Sequence, residues 1–295
     1  MVGEQARIGV ADSHVAELGR TALRIAIGGR LRALREECGI TREAAGDHIR
    51  GSHAKISRLE LGRTGFKERD IDDLLTLYGV TDPEQRTAFL DLVDKANQPG
   101  WWHRYRDLLP SWFETYLGLE GVAQSIRTFE AHLVPGLLQT EDYARAVVAL
   151  GHDNFEAARR VELRRKRQEI LNVRHGPTIW AVLDEAVLYR PIGGATVLRE
   201  QIMHLVDMSK QSNVTIQVLP YSAGGHAATG SSFTMLRFAE RELTDLVYLE
   251  QLNSAVYLDG RPDIEFYRSV MDRIAVQAEP PAKSRALLIT AAEQL

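Results

Sequence analysis

Cysteine is almost missing from this 295-residue chain: Cys38 stands alone. No disulfide can close within the chain, which fits a reducing compartment, and a thiolate zinc cluster is excluded. Long apolar runs are missing too. None approaches the roughly 18 residues that a membrane-spanning helix needs. The N-terminus shows no basic segment followed by an apolar one, so no secretory signal is expected. An excess of one charge is also lacking. The net charge is −4, so the whole molecule is no polycation that would coat nucleic acid. With 44% hydrophobic and 26% charged residues, the chain has an ordinary globular balance and the length of about two domains. These features point to the cytoplasm, with no membrane partner.

The motifs of catalysis are missing as well. There is no Walker A sequence, no glycine-rich dinucleotide turn and no His-Glu-x-x-His pair. The histidines are scattered, without the spacing of a metal site. No catalytic residue, cofactor or metal is expected, and the chain is read as a non-enzyme.

What is present begins with the stretch from Thr41 to Glu60. It reads as two short helices joined by a tight turn at Arg50-Gly51. Thr41 and Ser52 stand where an N-cap oxygen is wanted. The first helix is expected to bury Ala44, Ala45 and Ile49, and the second Ile56 and Leu59, three apart on one face. That leaves His53, Ala54, Lys55 and Arg58 on the outer, early face of the second helix. Small and basic residues there suit the major groove of double-stranded DNA, with Lys55 or Arg58 matched to guanine O6 and N7. Between Arg20 and Val80 stand twelve Lys/Arg against nine Asp/Glu, a local balance of +3 on an acidic chain.

The stretch resembles the helix-turn-helix of lambda-repressor-like (Xre-type) regulators. The likeness runs from Arg20 to Val80 and includes Ile-Ser-Arg-Leu-Glu-Leu-Gly-Arg at 56–63. It implies that Arg42, at the start of the first motif helix, meets the DNA backbone. Thr41, Ser52 and Ser57 are further phosphate candidates, as are Arg63 and Lys67 in the basic loop after the second helix. It also implies a homodimer on a two-fold operator, because one short helix reads few base pairs. Two positions depart from the family. Gly46 replaces an Ala, a small-for-small change. Arg50 replaces a Gly in the turn, where positive φ costs about 1 kcal/mol or more, so Gly51 is expected to take that strain.

Around this motif the periodicity predicts a helix over Arg20–Cys38, with Leu23, Ile27, Leu31 and Leu34 inward. Gly28 and Gly29 weaken its start, which is expected near Gly29. Arg30, Arg32 and Arg35 fall off the apolar stripe, on a solvated or phosphate-facing side. Cys38 is expected to be buried. Further helices are expected over Asp70–Tyr78 and from Pro83 to Asn97, the latter with Phe89, Leu92, Val93 and Ala96 inward. Residues 1–18 read as a loose arm, 19–97 as the DNA-binding domain, and 98–295 as an effector- or partner-binding domain, with Gln98-Pro99-Gly100 as the boundary.

Past the boundary, Trp101, Trp102 and Trp112 are expected to pack as aromatic core. Leu119 to Phe129 fits helix or strand equally. Thr140 caps a helix to about Leu150. Phe155 to Arg174 is a long basic helix, Arg159, Arg160, Arg164, Arg165, Lys166 and Arg167 forming a solvated or interface surface. Strands are expected in Pro177–Tyr189 and Val214–Leu219. Ser232–Phe238 and Leu246–Leu252 read as a hairpin. Helices are expected over Thr196–Lys210, Ile264–Val276 with Phe266, Val270 and Ile274 inward, and Lys283–Gln294. The fold class is a mainly α helix-turn-helix bundle followed by an α+β domain. A glycine-rich loop between strands, with Gly224, Gly225, His226, Thr229 and Ser231, is a candidate ligand or partner site. His226 is expected near Asp184 or Glu185.

A second resemblance covers this region. Gly100-Trp-Trp, Pro135-Gly-Leu-Leu-Gln-Thr-Glu-Asp-Tyr-Ala, Leu183-Asp-Glu-Ala-Val-Leu, Val218-Leu-Pro and Val247-Tyr-Leu-Glu are similar to an uncharacterised domain of many actinobacterial Xre-type regulators. Such proteins are often described as antitoxin-like and paired with a small companion protein encoded nearby. The resemblance therefore implies a transcriptional regulator whose second domain binds a small protein partner or a small-molecule effector. The alternative is an antitoxin-like protein that sequesters the companion and binds DNA for autoregulation.

Overall fold

The structure is a computed structural model. It describes residues 24–25, 27–62, 64–97, 100–151, 154–173, 176–239 and 245–295. The expected arm, Leu23 and Arg63 lie outside these residues. The described chain falls into two compact units, the first ending at Arg104 and the second starting at Tyr105.

The first unit is helical. Helix α1 covers 27–37. It is followed by α2 (Arg42–His48), α3 (His53–Glu60), α4 (Glu68–Leu77) and α5 (Pro83–Asn97). Their inward faces share one core that includes Ile27, Leu31, Ile49, Ile56, Leu59, Ile71, Leu74 and Val93. Asn97 closes α5 onto the loop before α4. Its Oδ1 accepts from Phe66 N at 2.9 Å and its Nδ2 donates to Phe66 O at 2.7 Å.

Several expectations need correction here. Helix α1 runs through Gly28 and Gly29 instead of starting near Gly29. The glycine is needed for close approach: a Cβ on Gly28 would lie 2.5 Å from the Glu60 carbonyl oxygen. Ala44 is exposed and Gly46 is buried in its place. The Gly46 change is not neutral in size either, because a Cβ there would lie 2.9 Å from the Ser52 carbonyl carbon. Leu92 is 40% exposed, while Phe89 and Leu90 pack partly on the core. Cys38 is exposed, having passed the last turn of α1, and its Sγ lies 3.3 Å from Tyr78 O.

The second unit is α+β. Helix α6 (Ser111–Val122) precedes strand β1 (Ser125–Glu130), which resolves the ambiguous Leu119–Phe129 stretch into a helix end and a strand. Then come α7 (Glu141–Ala149), α8 (Asn154–Gln168), β2 (Thr178–Asp184), α9 (Ala195–Met208), β3 (Val214–Leu219), β4 (Phe233–Arg237), β5 (Leu246–Glu250), β6 (Ala255–Leu258), α10 (Arg261–Gln277) and α11 (Pro281–Glu293). The sheet order is β3-β2-β1-β4-β5-β6. Strands β1, β2 and β3 run parallel, joined through helices, and β4 to β6 are antiparallel. Strand β3 is buried along nearly its whole length instead of alternating, as a parallel strand covered on both faces should be.

Helix α10 seals one face of this sheet. Val270, Met271 and Ile274 pack with Phe129, Val182, Met235 and Val247. Phe266, expected inward, is 63% exposed, and Met271 takes the core position. Helix α8 is also less solvated than expected. Arg167 pairs with the buried carboxylate of Glu120, with Nη2 donating at 2.6 Å, and stacks over Phe113 and Tyr116. Arg164 donates to Gln139 Oε1 at 2.7 Å, and burial pushes its guanidinium down to about 10.

Gly28→Ala is expected to destabilise the first unit by about 1–3 kcal/mol, the usual range for overpacking, despite the better helix propensity of Ala. Chemical denaturation followed by circular dichroism checks this, and an unchanged midpoint would show that α1 and α3 can move apart freely.

Candidate nucleic-acid interface

Two caps start the motif helices. Thr41 Oγ1 accepts from Ala44 N at 3.2 Å, and Ser52 Oγ from Lys55 N at 3.3 Å. Each oxygen satisfies a donor that has no partner inside its helix. Between the helices, Arg50 adopts φ +52 and is the positive-φ non-glycine residue of the described chain. The strain therefore falls on Arg50 and not on Gly51, contrary to expectation. The reason lies in the hydrogen bonding that ends α2. Gly51 N reaches Gly46 O at 2.8 Å and Arg50 N reaches Asp47 O at 3.1 Å, which requires the left-handed residue between them.

Helix α3 is anchored by Ile56, Leu59 and Glu60. Its opposite face is turned outward. His53, Ala54 and Arg58 are exposed, Ser52 is exposed ahead of them, and Ser57 is half-buried. Lys55 is different. Its Nζ lies 2.6 Å from Asp70 Oδ2 at the start of α4, and its side chain is 27% exposed. The structure thus groups His53, Ala54 and Arg58 on one free surface and turns Lys55 back toward the protein. Lys67 is exposed immediately before α4.

The carboxylate of Glu60 organises the back of the motif. It is 4% exposed. Arg35 Nε donates to its Oε1 at 2.5 Å and Arg42 Nε to its Oε2 at 3.0 Å. Arg35 Nη1 also donates to Ile40 O at 2.8 Å. Arg35, expected on a solvated face, is only 6% exposed. The hydrogen bond to Glu60 holds its guanidinium above the ordinary arginine range, against the opposing effect of burial. Arg42 keeps 37% of its side chain exposed while paired. It is fixed beside α3 with part of its fork still turned to solvent. Sequence reasoning missed this bridge, although a signal was present. Glu60 follows Ile56 by one turn and so had to point inward, where a carboxylate needs a cation.

In the second unit the glycine-rich loop follows β3 and lies along the carboxyl ends of the parallel strands. His226 Nε2 is 3.9 Å from Asp184 Oδ2, while His226 Nδ1 accepts from Ala228 N at 3.3 Å. The ring packs edge-on against Phe129, with centroids 5.3 Å apart. Gly224 takes φ +68, and Gly225 is exposed beside it. Thr229 Oγ1 donates to His226 O at 2.5 Å and Ser231 Oγ to Ser232 O at 2.9 Å. Glu185 Oε2 accepts from Tyr221 N at 2.6 Å, so it braces the loop and does not face His226. Nearby, burial pushes Glu130, at the end of β1, up to about 8. Among the described residues no group of three or more His, Cys, Asp or Glu could hold a metal ion. No helix among them is long and apolar enough to cross a membrane.

A family model described as a helix-turn-helix domain matches residues 26–89. A second, described as a domain of unknown function (DUF5753), matches residues 113–290. No curated protein and no solved structure matches the chain. The helix-turn-helix match agrees with the geometry of α2, the turn and α3, and it points to DNA binding by the first unit.

Glu60→Ala is expected to destabilise the first unit by about 3–5 kcal/mol, because two guanidinium groups would lose a shared buried partner. Thermal unfolding of the full chain would show the loss as an earlier transition. A shift under about 1 kcal/mol, the level of a surface pair, would mean that solvent replaces Glu60 without difficulty.

Proposed function

We propose that this chain, which belongs to the DUF5753 family, is a sequence-specific DNA-binding transcriptional regulator of the Xre type that works in the cytoplasm as a homodimer. One observation carries the reading. The outer face of α3 presents His53 and Ala54 from its first turn and Arg58 from its last, while Ile56, Leu59 and Glu60 hold the helix from behind. A rigid helix with an exposed basic and small-residue end fits the major groove. In this reading Arg58 pairs with guanine O6 and N7, and His53 and Ala54 contact neighbouring bases. Thr41, Arg42, Ser52, Ser57 and Lys67 position the unit on phosphate, with Arg63 as a further phosphate contact from sequence.

Lys55 takes a lesser part than its position in the motif suggests. Reading a base would require it to leave Asp70, whose carboxylate is 13% exposed. The second unit supplies the regulatory input, a small protein or small molecule received at the loop carrying Gly224, Gly225, His226, Thr229 and Ser231. Support for that site is its place at the carboxyl ends of β1, β2 and β3. Ligands of open α/β sheets bind at that edge, beside the point where strand order reverses.

The test is footprinting of the full chain on DNA upstream of its own gene and its neighbours, at several salt concentrations. A discrete protected site is expected. Arg58→Ala is expected to cost about 1–3 kcal/mol and to relax one base position, and His53→Ala/Arg58→Ala to abolish the footprint. Diffuse protection that falls steeply with salt and ignores both substitutions would remove the specific-reader proposal. The antitoxin-like alternative would then stand on capture of a companion protein by the second unit alone.

A further inference from the structure

We infer that the outer face of α10 is the surface on which a second copy of this chain docks, antiparallel and around a two-fold axis. The inner face of α10 is committed to the sheet through Ile264, Val270, Met271 and Ile274. Its outer face is exposed along this 17-residue helix, through Glu265, Arg268, Ser269, Asp272, Arg273 and Val276.

Two large apolar residues stand in this bare face. Phe266 is 63% exposed and Val276 is 85% exposed. With Ser269 and Arg273 they recur at spacings of three, four and three, the stripe that packs one helix against another. The charges say which helix. Reading along the chain, Glu265, Arg268, Asp272 and Arg273 run negative, positive, negative, positive. An antiparallel copy reverses that order and sets every charge opposite its complement. Glu265 faces Arg273 of the second copy, and Arg268 faces Asp272 of the second copy. The same placement brings Phe266 onto Val276 of the second copy. The midpoints of the three pairings fall at Ser269, Val270 and Met271, within one residue of a common two-fold axis, an offset that long side chains can span. A parallel copy in register would set each charge against its own kind, so of the two possible two-fold arrangements the charges select the antiparallel one. A closed two-fold interface has to be self-complementary in this way.

The pairs these charges now make are all at the surface. Glu265 meets Arg261 at 2.7 Å, Arg268 meets Asp245 at 3.4 Å and Asp272 meets Arg127 at 3.4 Å. Exposed pairs of this kind contribute little and exchange readily. Arg273 has no ion-pair partner among the described residues. A single helix face is smaller than the roughly 800 Å² per partner of a tight interface. The dimer is therefore expected to depend on concentration, with a dissociation constant in the range of about 1–100 μM. A two-fold operator would tighten it. This surface gives the proposed homodimer its interface, and it rests on that reading for its use on DNA but not for its existence.

Sedimentation velocity of the full chain without DNA tests it, from about 1 to 200 μM to bracket that range. A monomer–dimer equilibrium is expected. Glu265→Arg and Arg273→Glu should each weaken it at least tenfold, and Glu265→Arg/Arg273→Glu should restore it. Phe266→Asp should leave only monomer, and circular dichroism should show each variant folded. A wild-type chain that stays monomeric throughout, a dimer indifferent to the single reversals, or a double reversal that fails to recover would each overturn the inference. Because no DNA is present, these outcomes are independent of whether α3 reads an operator.

Discussion

The buried carboxylate of Glu60 is the constraint on which the first unit depends. A charge with so little access to water forfeits several kcal/mol of hydration, so the fold around it must return an equivalent attraction. Arg35 from α1 and Arg42 from α2 do so from two sides. One side chain of α3 thereby fixes the positions of two other helices. The two close backbone approaches obey the same logic. Gly28 lets α1 come down onto the end of α3, and Gly46 lets α2 meet the start of α3. The outward face of α3 is rigid because everything behind it is held. A surface held in advance loses less freedom on binding than one that must be ordered.

The second unit solves a related problem with amides. The segment from Val134 to Thr140 enters the core without regular hydrogen bonding except for one short turn, Gly136–Leu138. Buried backbone groups there need partners. Gln139 donates to Val134 O, Gln168 to Gly136 O and Gln139 O, and Gln201 to Leu138 O while accepting from Thr140 N. A Cβ on Gly136 would lie 3.0 Å from Arg167 Nη1, so the chain passes close under the guanidinium that also neutralises Glu120. The basic character of α8 is thus partly internal. Its arginines and glutamine hold a loop and a carboxylate, and fewer of its charges remain for solvent than a count along the helix suggests.

Much of the architecture was readable from residues alone, for identifiable reasons. Helix α5 starts at Pro83 and ends at Asn97 as expected, because proline suits a first turn and the Gln98-Pro99-Gly100 run resists helix. Thr41, Ser52 and Thr140 cap the helices they were expected to cap, since capping is a local interaction over three residues. Strands β4 and β5 pair antiparallel, as two apolar runs separated by a polar stretch of sequence predict. Errors fell where two faces of one helix are both apolar or both polar. Leu92 and Phe266 are apolar residues left outside, and Arg35 is a charge taken inside. Periodicity within a segment ranks its faces but carries no information about the element packed against them. For Arg35 the missing fact was Glu60, 25 positions away in sequence.

The sequence by itself determined the helix-turn-helix, the α+β class of the second unit, and the set of side chains available to the outer face of α3. These depend on local spacing, capping and turn chemistry, which act between residues near in the chain. Only the tertiary structure decided which of those side chains are free. Lys55 is drawn to Asp70, and Arg42 and Arg35 to Glu60, while His53 and Arg58 remain outward. It also decided that α10 shows Phe266 and Val276 to solvent. Each of these outcomes depends on partners brought together from distant positions, and long-range attraction between side chains is set by folding and not by neighbours in sequence.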